Sequence, residues 1–446
     1  MLATDKPETS VRAVFNLAWP VMVSMLSYTA MSVVDTLFVS RLGTEPLAAV
    51  GLAGILVFFS QSFGAGLMGG VRVLVSQSTG AEKHSLARRF GWQGLWLALP
   101  LGILMSTLSL LPPSIFYVLG ATENVSIYAD EFFSIRVLGA PLVLINIALS
   151  AWFQGRGDTK TPMHSTLIGN AINIGLDPLL IFGLWGLPEL GVAGAATATV
   201  ASLFVQVAYL SWRIVPHIRG VNNSIDRELI AAIWRLGSPI GVRYMFNMGS
   251  FVVFSSIITM VGAIELAAHV IVVRICSISF LPGHAIGEAA GVLVGQFIGA
   301  GKPEACRPVV KSALKLAAGV MVSWGIIFIT IPTVLLSPFE AEIAVQDIAT
   351  NLLMVAAAFQ VFDAVVMSIE GGLNGAGDTR WVMFATLACA WFIKVPAGYF
   401  GAFILDMGAV GAWMGFTLEL LVLSGLCIHR VRGSRWLESA ELPQTR

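Results

Sequence analysis

Leu-Val-Ser-Gln-Ser-Thr-Gly-Ala at positions 74–81 returns as Leu-Val-Gly-Gln-Phe-Ile-Gly-Ala at positions 293–300, an offset of 219. The same offset carries Leu17 and Pro20 onto Leu236 and Pro239, and Gly43 onto Gly262. It carries Leu47-Ala48-Ala49 onto Leu266-Ala267-Ala268, and Gly64 onto Gly283. With one residue more, Gly155, Gly157, Asp158 and Thr159 fall on Gly375, Gly377, Asp378 and Thr379. The chain is therefore an internal duplication. In an apolar sequence this predicts two bundles about a central site, the plan of many secondary transporters.

The surrounding composition sets the solvent. Of 446 residues, 56% are hydrophobic and 12% charged, and mean hydropathy is +0.82. Soluble folds do not bury that much apolar surface, whereas a bilayer accommodates it. The zero net charge gives no electrostatic reason to expect a nucleic-acid partner. Cys276, Cys306, Cys389 and Cys427 are widely spaced and form no CxxC pair, so neither a disulfide framework nor a zinc site follows. The first ten residues are polar and read as a cytoplasmic tail.

Apolar stretches predict an all-α membrane protein of twelve spans, six between roughly 14 and 214 and six between roughly 234 and 430. Basic residues concentrate in alternate connections: Lys83, Arg88 and Arg89; Arg156 and Lys160; Arg213, Arg219 and Arg227; Lys302, Arg307 and Lys311; Arg380. Both chain ends join that set, through Lys6 and Arg12 and through Arg430, Arg432 and Arg435. The opposite connections hold Glu123, Asp130, Glu131, Glu189, Glu340, Glu342, Asp347 and Asp406. The excess of Lys and Arg places the basic loops and both termini in the cytoplasm. Six spans per repeat leave both repeats in one orientation, related by an axis along the membrane normal. The polar stretch 216–226 separates two lobes, 1–220 and 221–446.

A charge at the bilayer centre costs about 2.5–3.5 kcal/mol on insertion scales, so polar residues inside spans need a reason. Tyr28, Ser32 and Asp35 share one face of the first span. Asn170, Asn173 and Asp177 share one face of the fifth, and Pro178 weakens the backbone ladder beside Asp177. Thr197 and Thr199 add hydroxyls on the sixth. These are hard oxygen ligands, suited to Na⁺ or to a proton held between two acids. The bland alternative is that Asp35 and Asp177 lie at span ends facing water, and that the amides and threonines only join helices. The second half is not a copy: Asp35 projects onto Phe254, Tyr28 onto Asn247, and Asp177 close to Lys394. Its tenth span carries Gln360, Asp363 and Glu370. Arg274, Glu288 and Lys394 read equally as an internal salt bridge, as snorkelling side chains or as functional groups, and Glu370 as a solvated end residue.

No GxxxxGK[ST], HExxH or GxSxG occurs, and the six histidines are scattered. The reading is of a non-enzyme without cofactor, driven by an ion gradient.

In order along the chain, Trp19-Pro20, Val34-Asp35-Thr36, Leu47-Ala48-Ala49, Val75-Ser76-Gln77, Gly80-Ala81, Gly155 to Thr159, Asn173 to Pro178, Gly194 to Thr199, Ala267-Ala268-His269, Val294-Gly295-Gln296, Phe362-Asp363-Ala364 and Gly375 to Thr379 resemble the multidrug and toxic compound extrusion (MATE) family. The resemblance implies two six-helix bundles forming a V-shaped cavity, and export of cationic or amphiphilic compounds in exchange for Na⁺ or H⁺. It places a first-lobe cation site on Asp35, Asn173, Asp177 and Thr199, a set that resembles the DinF-like branch. The NorM-like branch uses second-lobe acids: Asp363 matches one, but Asn247 stands where the seventh-span glutamate belongs.

The implied mechanism is alternating access: a cation neutralises Asp35 and Asp177, the first span repacks near Pro20, and the bound compound leaves. H⁺ is favoured slightly over Na⁺, since two acids in a desolvated pocket readily share a proton. Gln360, Asp363 and Asn247 are candidates for the substrate side. Expected partners are small amphiphilic or cationic molecules and membrane lipid, with a monomer in the plasma membrane (the inner membrane of a Gram-negative cell). The rival readings are a lipid-linked oligosaccharide flippase, which needs more intramembrane cations than Arg274 and Lys394, and an intramembrane aspartyl enzyme using Asp35 and Asp177.

Overall fold

In a computed structural model, described over residues 8–218, 220 and 223–438, thirteen helices carry the architecture. They are α1 (Val11–Ser40), α2 (Thr44–Gly80), α3 (His84–Ser106), α4 (Glu123–Leu138), α5 (Ala140–Gly155), α6 (Lys160–Ile181) and α7 (Gly191–Ile218). The second repeat supplies α8 (Arg227–Val261), α9 (Ala263–Gly299), α10 (Cys306–Thr330), α11 (Ile343–Ala376), α12 (Thr379–Cys389) and α13 (Gly408–Arg432). No strand occurs among the described residues. Lys6, Arg219 and the residues after 438 lie outside the described residues.

Among the described residues, ten helices are long and apolar enough to cross a membrane, and α4 with α5, bent by 46° at Gly139, make an eleventh span. The remaining long helix is α6, whose 22 residues include Asn170, Asn173 and Asp177. The polar face read from the sequence thus sits on the span that hydropathy supports least. At 37 residues each, α2 and α9 run to roughly 55 Å, well beyond an apolar core of about 30 Å. α12 continues through a π-helical turn at Ala390–Lys394, a short helix at Val395–Tyr399 and a second π-helical turn at Phe400–Ile404. π turns of this kind often mark functional positions.

The duplication is visible in local geometry. Gly157 and Gly377 both adopt left-handed backbone, φ +85° and +95°, at a helix end where a side chain would be strained. In each turn the next N–H reaches back five residues: Asp158 to the Phe153 carbonyl and Asp378 to the Leu373 carbonyl, both at 3.0 Å. The ends of α2 and α9 cross reciprocally. A Cβ on Gly80 would meet the Gln296 carbonyl oxygen at 1.8 Å, and one on Gly299 would meet the Gln77 carbonyl oxygen at 1.8 Å. Repeat-related residues exchanging the same contact is the mark of a twofold relation.

Contacts divide the described chain into two compact units. One comprises residues 8–22, Ser76–Glu82 and 242–438; the other comprises Val23–Val75 and Lys83–Gly241. These units do not coincide with halves divided at 220/221. α1 changes unit after Met22 and α8 after Gly241, positions that are themselves 219 apart. Each change comes two residues after a proline inside the helix, Pro20 or Pro239. Proline removes one rung of the backbone ladder, and both helices hand over beside that weakened rung.

Described residues within the stretch 216–226 make defined contacts. Pro216 is still helical. The Asp226 carboxylate caps α8 through the Glu228 and Leu229 N–H groups and pairs with Arg89 at 2.5 Å. Gln93 clamps the same segment, donating to the Ser224 carbonyl and accepting from the Asp226 N–H, both at 2.9 Å.

Candidate functional site

The first site lies along the seam of α1 with α6. The Asn170 amide donates to the Ser27 hydroxyl at 2.8 Å and ties the two helices together. Two turns further along α6, Asp177 is fully buried, as is Asn173 between them. Asp35 on α1 is half-buried, and its carboxyl group lies within side-chain hydrogen-bond reach of the Asp177 carboxyl group. When ionised, however, both carboxylates only accept.

The buried atoms of the seam are short of hydrogen-bond donors. Asp35 Oδ1, both Asp177 oxygens, Asn173 Oδ1 and Asn170 Oδ1 have no donor, and Asn173 Nδ2 has no acceptor. Among these four side chains, five acceptors thus stand against one donor. Each unsatisfied buried polar group costs about 1–3 kcal/mol. A cation is the chemical entity that answers a surplus of acceptors, whether as a proton shared by the carboxyl pair or as Na⁺ among the oxygens. Thr199 on α7 is buried and spends its hydroxyl hydrogen on the Ala195 carbonyl at 3.0 Å, so its oxygen keeps its lone pairs. α7 packs along α6. Among the described residues there is no group of three or more His, Cys, Asp or Glu side chains arranged for a metal, so any Na⁺ would rely on amide and hydroxyl oxygens as well as the two acids.

Other candidates fall elsewhere. Tyr28 shares the Asp35 face in helical register but is 53% exposed, and it is Ser27, one residue round the helix, that meets Asn170. Ser32 is exposed, and Thr197 is half-buried. One participant was not singled out in the sequence. Arg136, in the last turn of α4 beside the bend at Gly139, is half-buried with Nη1 buried and unpartnered, and its charge acts on Asp35. The signal was present: an arginine in the middle of the fourth span needed the same question as the acids.

The second repeat holds a larger set of buried charges. Arg243 on α8 pairs with Glu370 on α11, and Glu370 also accepts from the Thr386 hydroxyl at 2.6 Å. Lys394 and Glu419 are both buried, 3.4 Å apart, and the ammonium lies 5.6 Å from the Phe416 ring centre. Asp363 is buried within the field of Glu370 and Glu419, and Gln360 donates to the Ser279 hydroxyl at 2.7 Å. Glu370 is a paired interior residue, not a solvated end. Arg274 is exposed and forms no ion pair among the described residues, so no Arg274–Glu288 bridge joins the two; Glu288 is half-buried. Asn247 is exposed. Arg243 and Glu419 escaped the sequence reading because their partners lie 127 and 25 positions away in the chain.

Asp158 and Asp378, prominent in the repeat, do structural work. Asp158 accepts the Thr161 N–H and hydroxyl at 3.0 and 2.6 Å. Asp378 takes a two-pronged contact from Arg430 at 2.7 and 3.1 Å.

The MatE family profile matches twice, over residues 20–179 and 239–400, its two starts again 219 apart. A "Probable multidrug resistance protein NorM" of Pseudomonas putida is 31% identical over 427 residues, 93% of this chain and 92% of that protein. A "Multidrug resistance protein NorM" of Burkholderia vietnamiensis is 30% identical, covering 96% of this chain and 95% of that one. These relatives carry the NorM name. Among solved structures, a multidrug resistance MATE family transporter in an outward-facing conformation superposes with a TM-score of 0.90 at 23% identity, over 97% of each chain. A Pyrococcus furiosus transporter of the MOP superfamily gives a TM-score of 0.89 at 23% identity over 98% of each. With both repeats matched and nearly the whole length shared, this multi-pass membrane protein belongs to the MATE family of transporters.

Proposed function

We propose that this chain exports cationic or amphiphilic organic compounds across the plasma membrane, which is the inner membrane in a Gram-negative cell. Both termini are cytoplasmic, and export is exchanged for H⁺ or Na⁺ by alternating access. The names of its relatives support the substrate class. The observation that carries the ion coupling is the five-to-one surplus of acceptors at Asp35, Asn170, Asn173 and Asp177. Without a bound cation those groups would be unsatisfied. With one the seam can close dry, so the cation has a reason to prefer one state over the other. That preference is the requirement for coupling. Asp363 and Gln360 serve the substrate side in the second repeat.

The flippase reading needs free intramembrane cations for a pyrophosphate. Arg243 and Lys394 are already matched by Glu370 and Glu419, which leaves Arg136 and Arg274, on different helices, and favours antiport of cations over transport of a polyanion. A sodium jump at fixed pH in proteoliposomes tests the coupling ion, with Asp35→Asn as the negative control. Dye export indifferent to both Na⁺ and pH, or unchanged in Asp35→Asn, would defeat the proposal.

A further inference from the structure

Arg156, in the turn after α5, lies in the fields of Arg88 at the start of α3 and of Asp158, while His217 near the end of α7, its ring 5.8 Å from that of Trp152, feels Arg156, Arg88, Arg213 and the single carboxylate Asp158. That carboxylate is already engaged by Thr161. No described residue forms an ion pair with any of the three arginines. Arg156 is held in place: its guanidinium lies 4.4 Å over the ring of Trp152, a fully buried side chain anchored by its own N–H to the Ala87 carbonyl at 3.0 Å. Burial, and next the Arg88 charge beside it, push the Arg156 guanidinium below its ordinary value. Trp92, one helical turn from Arg88, carries a buried indole N–H with no acceptor. The region is rich in donors and short of anions.

The second repeat provides an internal comparison. Arg307, the counterpart of Arg88 at the 219 offset, donates to the carbonyls of Val431, Arg432 and Gly433 at 3.3, 3.0 and 2.9 Å. Asp378, the counterpart of Asp158, is taken by Arg430. The chain satisfies its own arginines there, whereas in the first repeat Asp158 is engaged by Thr161 and Arg88 has no ion pair among the described residues.

We propose that Arg88, Arg156 and Arg213 form a binding site for the phosphate of an anionic phospholipid. The shared chemistry is a phosphate anion, and lipid is the source because of the flanking surface. Trp212 beside Arg213 is 68% exposed, and Trp96 and Leu99, further along α3, are 39% and 41% exposed. Exposed aromatic and aliphatic groups beneath a cationic rim match a headgroup above its acyl chains. The site is independent of ion coupling and of the transported compound.

The test compares phosphatidylglycerol with phosphatidylcholine binding to the purified full chain by native mass spectrometry, with thermal unfolding in phosphatidylcholine as the folding control. Each basic residue near a lipid surface accounts for about fivefold in affinity, so Arg88→Gln with Arg156→Gln lowers the phosphatidylglycerol preference about 25-fold. Arg88→Gln with Arg213→Gln, which leaves the Arg156–Trp152 stack intact, gives a similar loss should the first pair unfold. Arg307→Gln retains the preference. Full preference in folded double variants overturns the proposal, as does an equal loss in Arg307→Gln. Competition by inorganic phosphate at the lipid's own concentration also overturns it, by identifying a small soluble anion.

Discussion

Asp177→Asn changes one oxygen of a buried carboxylate into an NH₂ group of nearly the same size. In the α1–α6 seam this turns five acceptors and one donor into four and two, and the new donor lies within reach of the Asp35 carboxylate. A hydrogen bond to a charged group contributes about 1.5–3 kcal/mol. The variant therefore supplies internally what the cation supplies in the native chain, and cation binding weakens by roughly 10- to 150-fold, since 1.4 kcal/mol is a factor of ten. The assay is dye transport in proteoliposomes under an imposed tenfold cation gradient. One-for-one exchange lets the native chain sustain up to about a tenfold opposing dye gradient, because the two free energies of about 1.4 kcal/mol balance. The Asp177→Asn dye gradient is expected to stay near unity. Its unfolding temperature in detergent is expected to equal or exceed the native value, because a buried amide costs less than a second buried carboxylate. A folded Asp177→Asn protein that still builds a gradient-dependent dye ratio within twofold of native would refute the reasoning.

Arg136→Gln removes the positive charge facing Asp35 and is expected to tighten cation activation of transport by several-fold, read as the half-activating cation concentration; an unchanged value removes Arg136 from the site. Arg243→Gln leaves Glu370 buried and unpaired and should cost about 3–5 kcal/mol, while Arg243→Gln with Glu370→Gln costs distinctly less. Equal thermal unfolding of the single and double variants would contradict that pairing. Gly80→Ala places a carbon 1.8 Å from the Gln296 carbonyl oxygen and should sharply lower the yield of folded protein, whereas Gly175→Ala, with no atom within 4 Å, should be tolerated. Comparable yields for the two would show that the α2–α9 crossing is looser than described.

Hydropathy, repeat spacing and helical register are properties of neighbouring residues, and the sequence alone carries them. From these came the duplicated all-α membrane architecture, the polar face of α6, and the nomination of Asp35, Asn173, Asp177 and Thr199. Their surplus of acceptors emerged only once α1 lay against α6, since it depends on which atoms find partners across the seam. Ser27 meets Asn170 over 143 positions of chain, and Arg243 meets Glu370 over 127. No local pattern encodes such pairings. Tyr28 shows the limit most plainly: register puts it on the face of Asp35, yet packing leaves it exposed. The change of unit within α1 and α8 was likewise hidden, although Pro20 and Pro239 marked the weak points of those helices. Bilayer solvation acts on each span separately, so composition was enough to specify the spans. Whether buried polar groups are satisfied is decided by several helices at once, so the site's chemistry belongs to the tertiary structure.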